Sequence, residues 1–285
     1  MSNAVREARN YDIRPLETSP DALQEVLDLF IQGGSGMSNT IEFLDWQYNQ
    51  NPRGPAVGFN AYFEGQLAAH YVAIPVTANV FGAPAKGLLS VNTRTAAGHQ
   101  GQGLFTRLAR ATYDHAQASG YEFVVGVAND SSVHGFTKKL GFQHVGMMRT
   151  WFATDPRWEE ASLDYETLWD ADTVRWRLSN PTRSYFARRR GDRALLFGQS
   201  RRFRVLMGDV EAGTVPPDVP APPGSLNPFS MWLGVSTASQ TGAVRIPVPE
   251  RMKETSLHLI YRDLIGERTL SADRTRFWAM DFDAY

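Results

Sequence analysis

Between His99 and Phe105 the chain reads His-Gln-Gly-Gln-Gly-Leu-Phe, two glycines one position apart with glutamines interleaved. Glycine adopts backbone conformations closed to other residues and has no side chain, so a ligand can approach the main-chain amides closely. From Leu104 the spacing turns helical, and the first amides of a helix have no partner within it and lie at the positive end of its dipole. Such a turn can hold a diphosphate on backbone alone, with Gln100 and Gln102 as neutral donors and His99 and Thr106 as neighbours. A purely structural turn is the plain alternative. A P-loop is excluded because no Lys-Ser or Lys-Thr follows, and the dinucleotide fingerprint fits poorly because a third glycine is missing.

A second group of candidates is Asn129, Ser132, His134 and Phe136, in a segment that closes with Leu140-Gly141-Phe142. The imidazole of His134 titrates in the range suited to accepting a proton from an amine, although a histidine on a short helix is equally readable as a solvated residue. His115 is expected to pack on an apolar helix face with Leu104, Leu108, Ala111 and Ala118.

The elements that must position these residues follow from periodicity. Tyr11–Glu17 reads as a strand and Ser19–Gly33 as a helix, with Ser19 as cap, Pro20 at the first turn and Leu23, Val26, Leu27 and Phe30 on one face. A second helix ends at Asn51-Pro52, two strands meet at Glu64-Gly65-Gln66, and Ala85–Thr95 is a further strand leading to the glycine turn. The helix after the turn stops near Gly120, and strand, short helix and extended chain follow. This order predicts a mixed α/β sheet with one central crossover.

Composition sets the bounds. A chain of 285 residues with 42% hydrophobic content can build one large domain or two ordinary ones. The net charge of -1 implies no global electrostatic partner, so no nucleic acid is expected, and the absence of cysteine excludes disulfides and thiolate metal sites. The N-terminal residues lack a signal peptide's apolar run, and no apolar stretch approaches the ~20 residues that span a bilayer. A cytoplasmic protein with no membrane contact is expected, and nothing in the sequence selects an oligomeric state.

The second half opens on an echo of the first: Phe43–Gly54 and Thr173–Ser184 each carry a tryptophan before Asn-Pro. Either a duplicated unit or two unrelated helix stops explains it. Ten arginines and one acid, Asp192, lie between Arg175 and Arg204; they suit an anionic substrate or, more plainly, solvated hairpin faces. Trp46, Trp151, Trp169 and Trp176 read mainly as core, and Arg276–Tyr285 reads as a late strand.

The turn Gln100-Gly101-Gln102-Gly103-Leu104, the Leu-Gly-Phe closure and the opening strand together resemble the GCN5-related N-acetyltransferase superfamily over Tyr11–Arg149. Phe105 departs from the motif's last position. The resemblance implies a GNAT α/β fold for residues 1–150, with residues 151–285 a degenerate α/β half on the acceptor side. It implies that the fourth and fifth strands part, that Val91, Asn92 and Thr93 present an edge to the pantetheine arm of acetyl-CoA, and that the diphosphate rests on Gln100–Leu104. The thioester would then point toward Asn129 and Phe136. The implied activity is transfer of an acetyl group to the amine of a small molecule such as an amino sugar, with no metal. The family's usual acid, a tyrosine, has its place taken by Thr137 or, on a shifted count, Phe136, which leaves Ser132, His134 or water as catalytic candidates. A tandem transferase using aminoacyl-tRNA and a noncatalytic acyl-CoA-binding module are the alternatives.

Overall fold

The computed structural model describes residues 9–34, 40–154, 157–158, 162–199, 203–223, 229–235, 240–241, 244–248 and 256–282. After strand β1 (Asp12–Pro15), helix α1 (Pro20–Gln32) starts as the sequence predicts. The Ser19 side chain accepts from the Ala22 amide, Pro20 needs no donor at the first turn, and Leu23, Val26, Leu27 and Phe30 are buried. Helix α2 (Ile41–Asn49) is capped by Thr40 and ends before Pro52. Strands β2 (Val57–Phe63), β3 (Gln66–Val80) and β4 (Ala83–Thr95) form an antiparallel meander. Helix α3 (Leu104–Ala118) crosses over to β5 (Phe123–Asn129), parallel to β4, and helix α4 (Val133–Lys139) leads to β6 (Gln143–Met147).

Here the chain changes sheets. Strand β7 (Arg149–Ala153) joins a second sheet, and two short strands follow, β8 (Arg157–Trp158) and β9 (Tyr165–Thr167). Helix α5 (Ala171–Leu178) precedes a second meander of β10 (Tyr185–Arg190), β11 (Arg193–Gln199) and β12 (Arg204–Glu211). Strands β13 (Ser230–Gly234), β14 (Gln240–Thr241), β15 (Arg245–Pro247), β16 (Leu257–Asp263) and β17 (Thr275–Arg276) and helix α6 (Ala279–Phe282) complete the described chain.

The main path of the first sheet runs β1-β2-β3-β4-β5-β16-β6 and that of the second β10-β11-β12-β13-β7-β15. The two follow one scheme. A meander ends in a strand parallel to the next (β4 with β5, β12 with β13), and two antiparallel strands complete the sheet. In the first sheet the first of those two strands, β16, comes from the far end of the chain and stands beside β5; in the second it is β7, at the junction of the halves, beside β13. The two sheets are thus built on one plan, and a strand of the second half, β16, completes the first. The first sheet is not confined to residues 1–150, since β9, β16 and β17 also belong to it.

The echo in the sequence is a contact in the structure. Trp46 and Trp176 stack at 4.9 Å, and each indole N–H donates to the other's carbonyl oxygen, at 2.8 Å from Trp46 and 3.0 Å from Trp176. Asn51 and Asn180 then do the same job after each helix, each side-chain oxygen accepting from the amide two residues on, at 2.9 Å in both cases. The reciprocity is that of a local two-fold between α2 and α5.

Two expectations need correction. Helix α3 buries Leu104, Leu108, Ala109, Thr112, Tyr113 and Ala116, whereas His115 is exposed. Leu104 and Leu108 fit either of two adjoining stripes at helical spacing, and the larger apolar area of Tyr113 selects the one without His115. The segment Arg276–Tyr285 is not a strand, because Ala279–Phe282 is helical; residues 283–285 lie outside the described residues.

Trp46→Ala removes a stacked, doubly hydrogen-bonded indole from the seam between the units. It is expected to lower stability by about 3–5 kcal/mol in denaturant unfolding, with a non-additive loss when combined with Trp176→Ala.

Candidate active site

The parallel ladder of β4 and β5 pairs Gly87 with Phe123, Leu88 with Val124, Leu89 with Val125 and Ser90 with Gly126, and then stops. Beyond Ser90, β4 stays paired with β3 through Thr95. Beyond Gly126, β5 stays paired with β16 through Asn129. The inner edges therefore diverge and leave a cleft of about 730 Å³. On β4 the register slips by one residue between Ser90 and Thr93 opposite Tyr71–Ala73, a bulge that bends the strand away from β5.

Buried polar groups hold that bulge. The Asn92 side-chain amide donates to Gln47 Oε1 at 2.7 Å and to the Tyr48 hydroxyl at 2.9 Å. The Tyr48 hydroxyl lies 3.0 Å from His70 Nε2, and His70 Nδ1 lies 2.8 Å from Asn60 Oδ1. Asn60 Oδ1 can only accept, so Nδ1 carries the hydrogen and Nε2 accepts from Tyr48. Burial drives the His70 imidazole down to about 3, and the network needs it neutral.

Of the residues singled out in the sequence, Val91, Thr93, Gln100, Phe105, Asn129, Ser132 and Phe136 line the cleft. Asn92 does not, because its side chain is drawn into the network beneath the strand. Leu104 is core, and His134 is exposed on α4, outside the lining. Thr137 Oγ1 donates to the Val133 carbonyl within α4 at 2.9 Å. The Ser132 hydroxyl accepts from the Asn129 amide at 3.1 Å and donates to its carbonyl at 3.3 Å.

The glycine turn has the geometry that its sequence requires. Gly101 and Gly103 have φ of 75° and 71°, the left-handed region that glycine enters freely. Helix α3 has no side-chain cap, and its ladder opens with the Arg107 amide bonding the Gly103 carbonyl at 3.1 Å. The amides before Arg107 in α3 thus have no place in the ladder and point out of the helix end. His99 Nδ1 lies within hydrogen-bond distance of the Tyr11 hydroxyl, at 2.9 Å. Partial burial and the nearby Arg9 charge hold its imidazole below the usual range. Phe105 is accommodated by Gly135, where a Cβ would stand 3.2 Å from its ring, and it packs on Phe136 at 5.0 Å.

The sequence reading missed Ser90, Arg94, Thr95, Val127, Ser131, Gly135 and Leu257 in the lining. Ser90 had a faint signal, a hydroxyl in an otherwise apolar strand interior. Leu257 had none, because it reaches the cleft only by the pairing of β16 with β5. Among the described residues of the arginine-dense stretch, Arg193 pairs with Asp209 at 3.0 Å, Arg189 donates to the Pro216 carbonyl at 2.6 Å, Arg204 donates to Ser230 Oγ at 2.9 Å, and Arg177 occupies a core site 4.7 Å from the Trp176 ring centre.

The sheet thus splits between two parallel strands, with a glycine turn at the start of the crossover helix. The Acetyltransferase (GNAT) domain family matches residues 12–145. Those residues belong to the GCN5-related N-acetyltransferase superfamily. The domain is an acyltransferase domain, and the family uses acyl-CoA.

No curated protein matches the chain. Solved structures match across both units. A GCN5-related N-acetyltransferase from Anabaena variabilis ATCC 29413 has 11% identity and a TM-score of 0.56, with 89% of this chain and 73% of that one covered. One from Kribbella flavida has 11% identity and a TM-score of 0.54, covering 92% and 72%. The N-myristoyltransferase of Saccharomyces cerevisiae, with bound myristoyl-CoA, has 10% identity and a TM-score of 0.50, covering 70% and 62%. These likenesses are of fold. No helix among the described residues is long and apolar enough to cross a membrane.

Because His70 is neutral in the folded protein and titrates normally when unfolded, the unfolded chain binds the extra proton between about pH 6.5 and pH 3. Its contribution to stability is complete above that window and is lost as pH falls through it. His70→Asn is expected to flatten the stability profile there by up to about 1.4 kcal/mol per pH unit, measured by denaturant titrations at several pH values.

Proposed function

We propose that this chain is an acetyl-CoA-dependent N-acetyltransferase acting on the amine of a small molecule, with an amino sugar as the first class to test. The observation that carries the reading is the cleft between β4 and β5, which opens at Ser90 and has Gln100 of the glycine turn in its wall. Acetyl-CoA supplies the acetyl group: a bond forms from the amine nitrogen to the acyl carbon, the carbon–sulfur bond breaks, the amine loses a proton and the thiolate gains one.

The chain's own residues fit that ligand. A diphosphate suits the outward amides from Leu104 to Thr106, where Gly103 leaves an open approach and the dipole of α3 favours negative charge. The edge of β4 at Val91 and Thr93 suits an arm that adds to the sheet as an extra strand would. Asn129 and Phe136 form the facing wall, and the yeast neighbour's bound acyl-CoA supports a ligand of this class in the fold. Of the two catalytic candidates Ser132 is the better placed, being in the wall while His134 is outside it.

We further propose that residues 1–150 form the cofactor unit and residues 151–285 the acceptor-side unit, which lends β16 to the first sheet. Leu257 supports this, since it brings the second unit to the cleft wall. No turn like Gln100–Gly103 occurs in Trp151–Tyr285, so one cofactor per chain follows.

Calorimetry is expected to give one acetyl-CoA site per chain. Gly103→Val, which forces a branched residue into a left-handed position, should weaken binding at least tenfold, or about 1.4 kcal/mol. Two equivalent sites would defeat the one-cofactor assignment, and parental affinity in the variant would remove the turn from the site. Binding of charged tRNA without acetyl-CoA would favour an aminoacyl-tRNA transferase instead. Thiol release with a panel of amines, amino sugars first, then identifies the acceptor class.

A further inference from the structure

Three hydroxyls run from the core into the apex of the cleft. Tyr71 on β3 and Tyr113 on α3 are buried, with their oxygens 2.5 Å apart, and the Tyr71 hydroxyl donates to Ser90 Oγ at 2.8 Å. Ser90 is the last residue of β4 still paired with β5, and it lines the cleft. Its partner there is Gly126, at which a Cβ would stand 3.2 Å from the Ser90 Cβ. The glycine makes room for the serine at the point where the strands part.

The direction of the row is fixed by counting hydrogens. Each neutral phenol has one, and burial pushes Tyr71 up to about 12 and raises Tyr113 well above the usual phenol range, so both stay protonated. Tyr71 spends its hydrogen on Ser90, and Tyr113 must then donate to Tyr71. Ser90 is thereby an acceptor from below, and among the described residues its own hydrogen has no acceptor. That hydrogen is left for the cleft. Successive hydrogen bonds of one direction polarise each other, which makes the last hydroxyl a better donor.

We propose that Ser90 is a catalytic residue that donates its hydroxyl hydrogen to the acyl carbonyl oxygen of the bound thioester, and that Tyr71, backed by Tyr113, is the residue that positions it. The proposal rests on the acetyl-CoA reading above. As the amine nitrogen bonds to the acyl carbon, an electron pair of the carbonyl gathers on oxygen, where the Ser90 hydrogen bond stabilises it. When that pair returns, the bond to sulfur breaks. Ser90 keeps its proton throughout; the amine's proton leaves to solvent, and the thiolate takes one from solvent. A donor already aimed at the place where charge develops needs no reorganisation during the reaction.

The test is the infrared band of the carbonyl in bound acetyl-CoA carrying carbon-13 at that position, a readout that needs no acceptor. In the parent the band is expected to fall below that of free acetyl-CoA. In Ser90→Ala it should return toward the free value, and in Tyr71→Phe it should return part of the way, with acetyl-CoA affinity by calorimetry within about twofold of the parent in both. Thiol release in Ser90→Ala should fall by about 10²-fold with KM for acetyl-CoA unchanged, the scale set by removal of an oxyanion donor. A band in a folded Ser90→Ala variant identical to the parent's overturns the proposal. Failure of the parent to bind acetyl-CoA overturns the functional reading beneath it, and calorimetry separates the two results.

Discussion

The structure turns on the place where two parallel strands stop pairing. Backbone N–H and C=O groups removed from water must find partners, so a sheet that splits needs something to satisfy each strand on its outer side. Here β3 does this for β4 and β16 does it for β5. The inner edges past Ser90 and Gly126 can then remain open to a ligand without unravelling the sheet. A bulge at Val91–Asn92 turns β4 away, and the Asn92 side chain, held by Gln47 and Tyr48, ties the bulge to α2.

This explains why the second unit matters to the first. The strand that supports β5 comes from residues 257–263, while the strand following β6 in sequence is given to the second sheet. The first sheet is completed by a strand of the second half, and the stacked Trp46 and Trp176 mark the seam between α2 and α5. A cleft wall that includes Leu257 therefore depends on the folding of the whole chain. Degeneracy of the second unit fits the same arrangement: it retains the helix, the Asn-Pro stop, the meander and the parallel strand, and it lacks the glycine turn.

The aromatic residues around the cleft illustrate compensation. Phe105 replaces the smaller residue expected at the end of the glycine motif, and Gly135 on α4 provides the space. Tyr71 packs edge-on against both Phe105 and Tyr113, so its hydroxyl is held by rings as well as by hydrogen bonds. The same side chains that fill the core beneath α3 thus orient a polar group at the ligand surface. A buried phenol pair and a surface serine form one device.

Local signals carried the sequence a long way. The cap and first turn of α1, the glycine turn before α3 and the meander were legible because their causes lie within a few residues of each other: a serine three positions before an amide, glycines where φ must be positive, alternation in strands. The family followed from the same short-range motifs, and so did seven of the cleft-lining residues. What sequence could not determine were contacts whose partners are far apart in the chain. Whether Asn92 faces the ligand or the core depends on a bulge fixed by Gln47 and Tyr48; whether His115 is buried depends on which stripe of α3 meets the sheet; and Leu257 lines the cleft only because β16 crosses to the first sheet. Local chemistry is written in neighbouring residues, whereas burial and strand partnership are decided by which distant surfaces meet, and that choice minimises unpaired backbone and exposed apolar area over the whole chain at once.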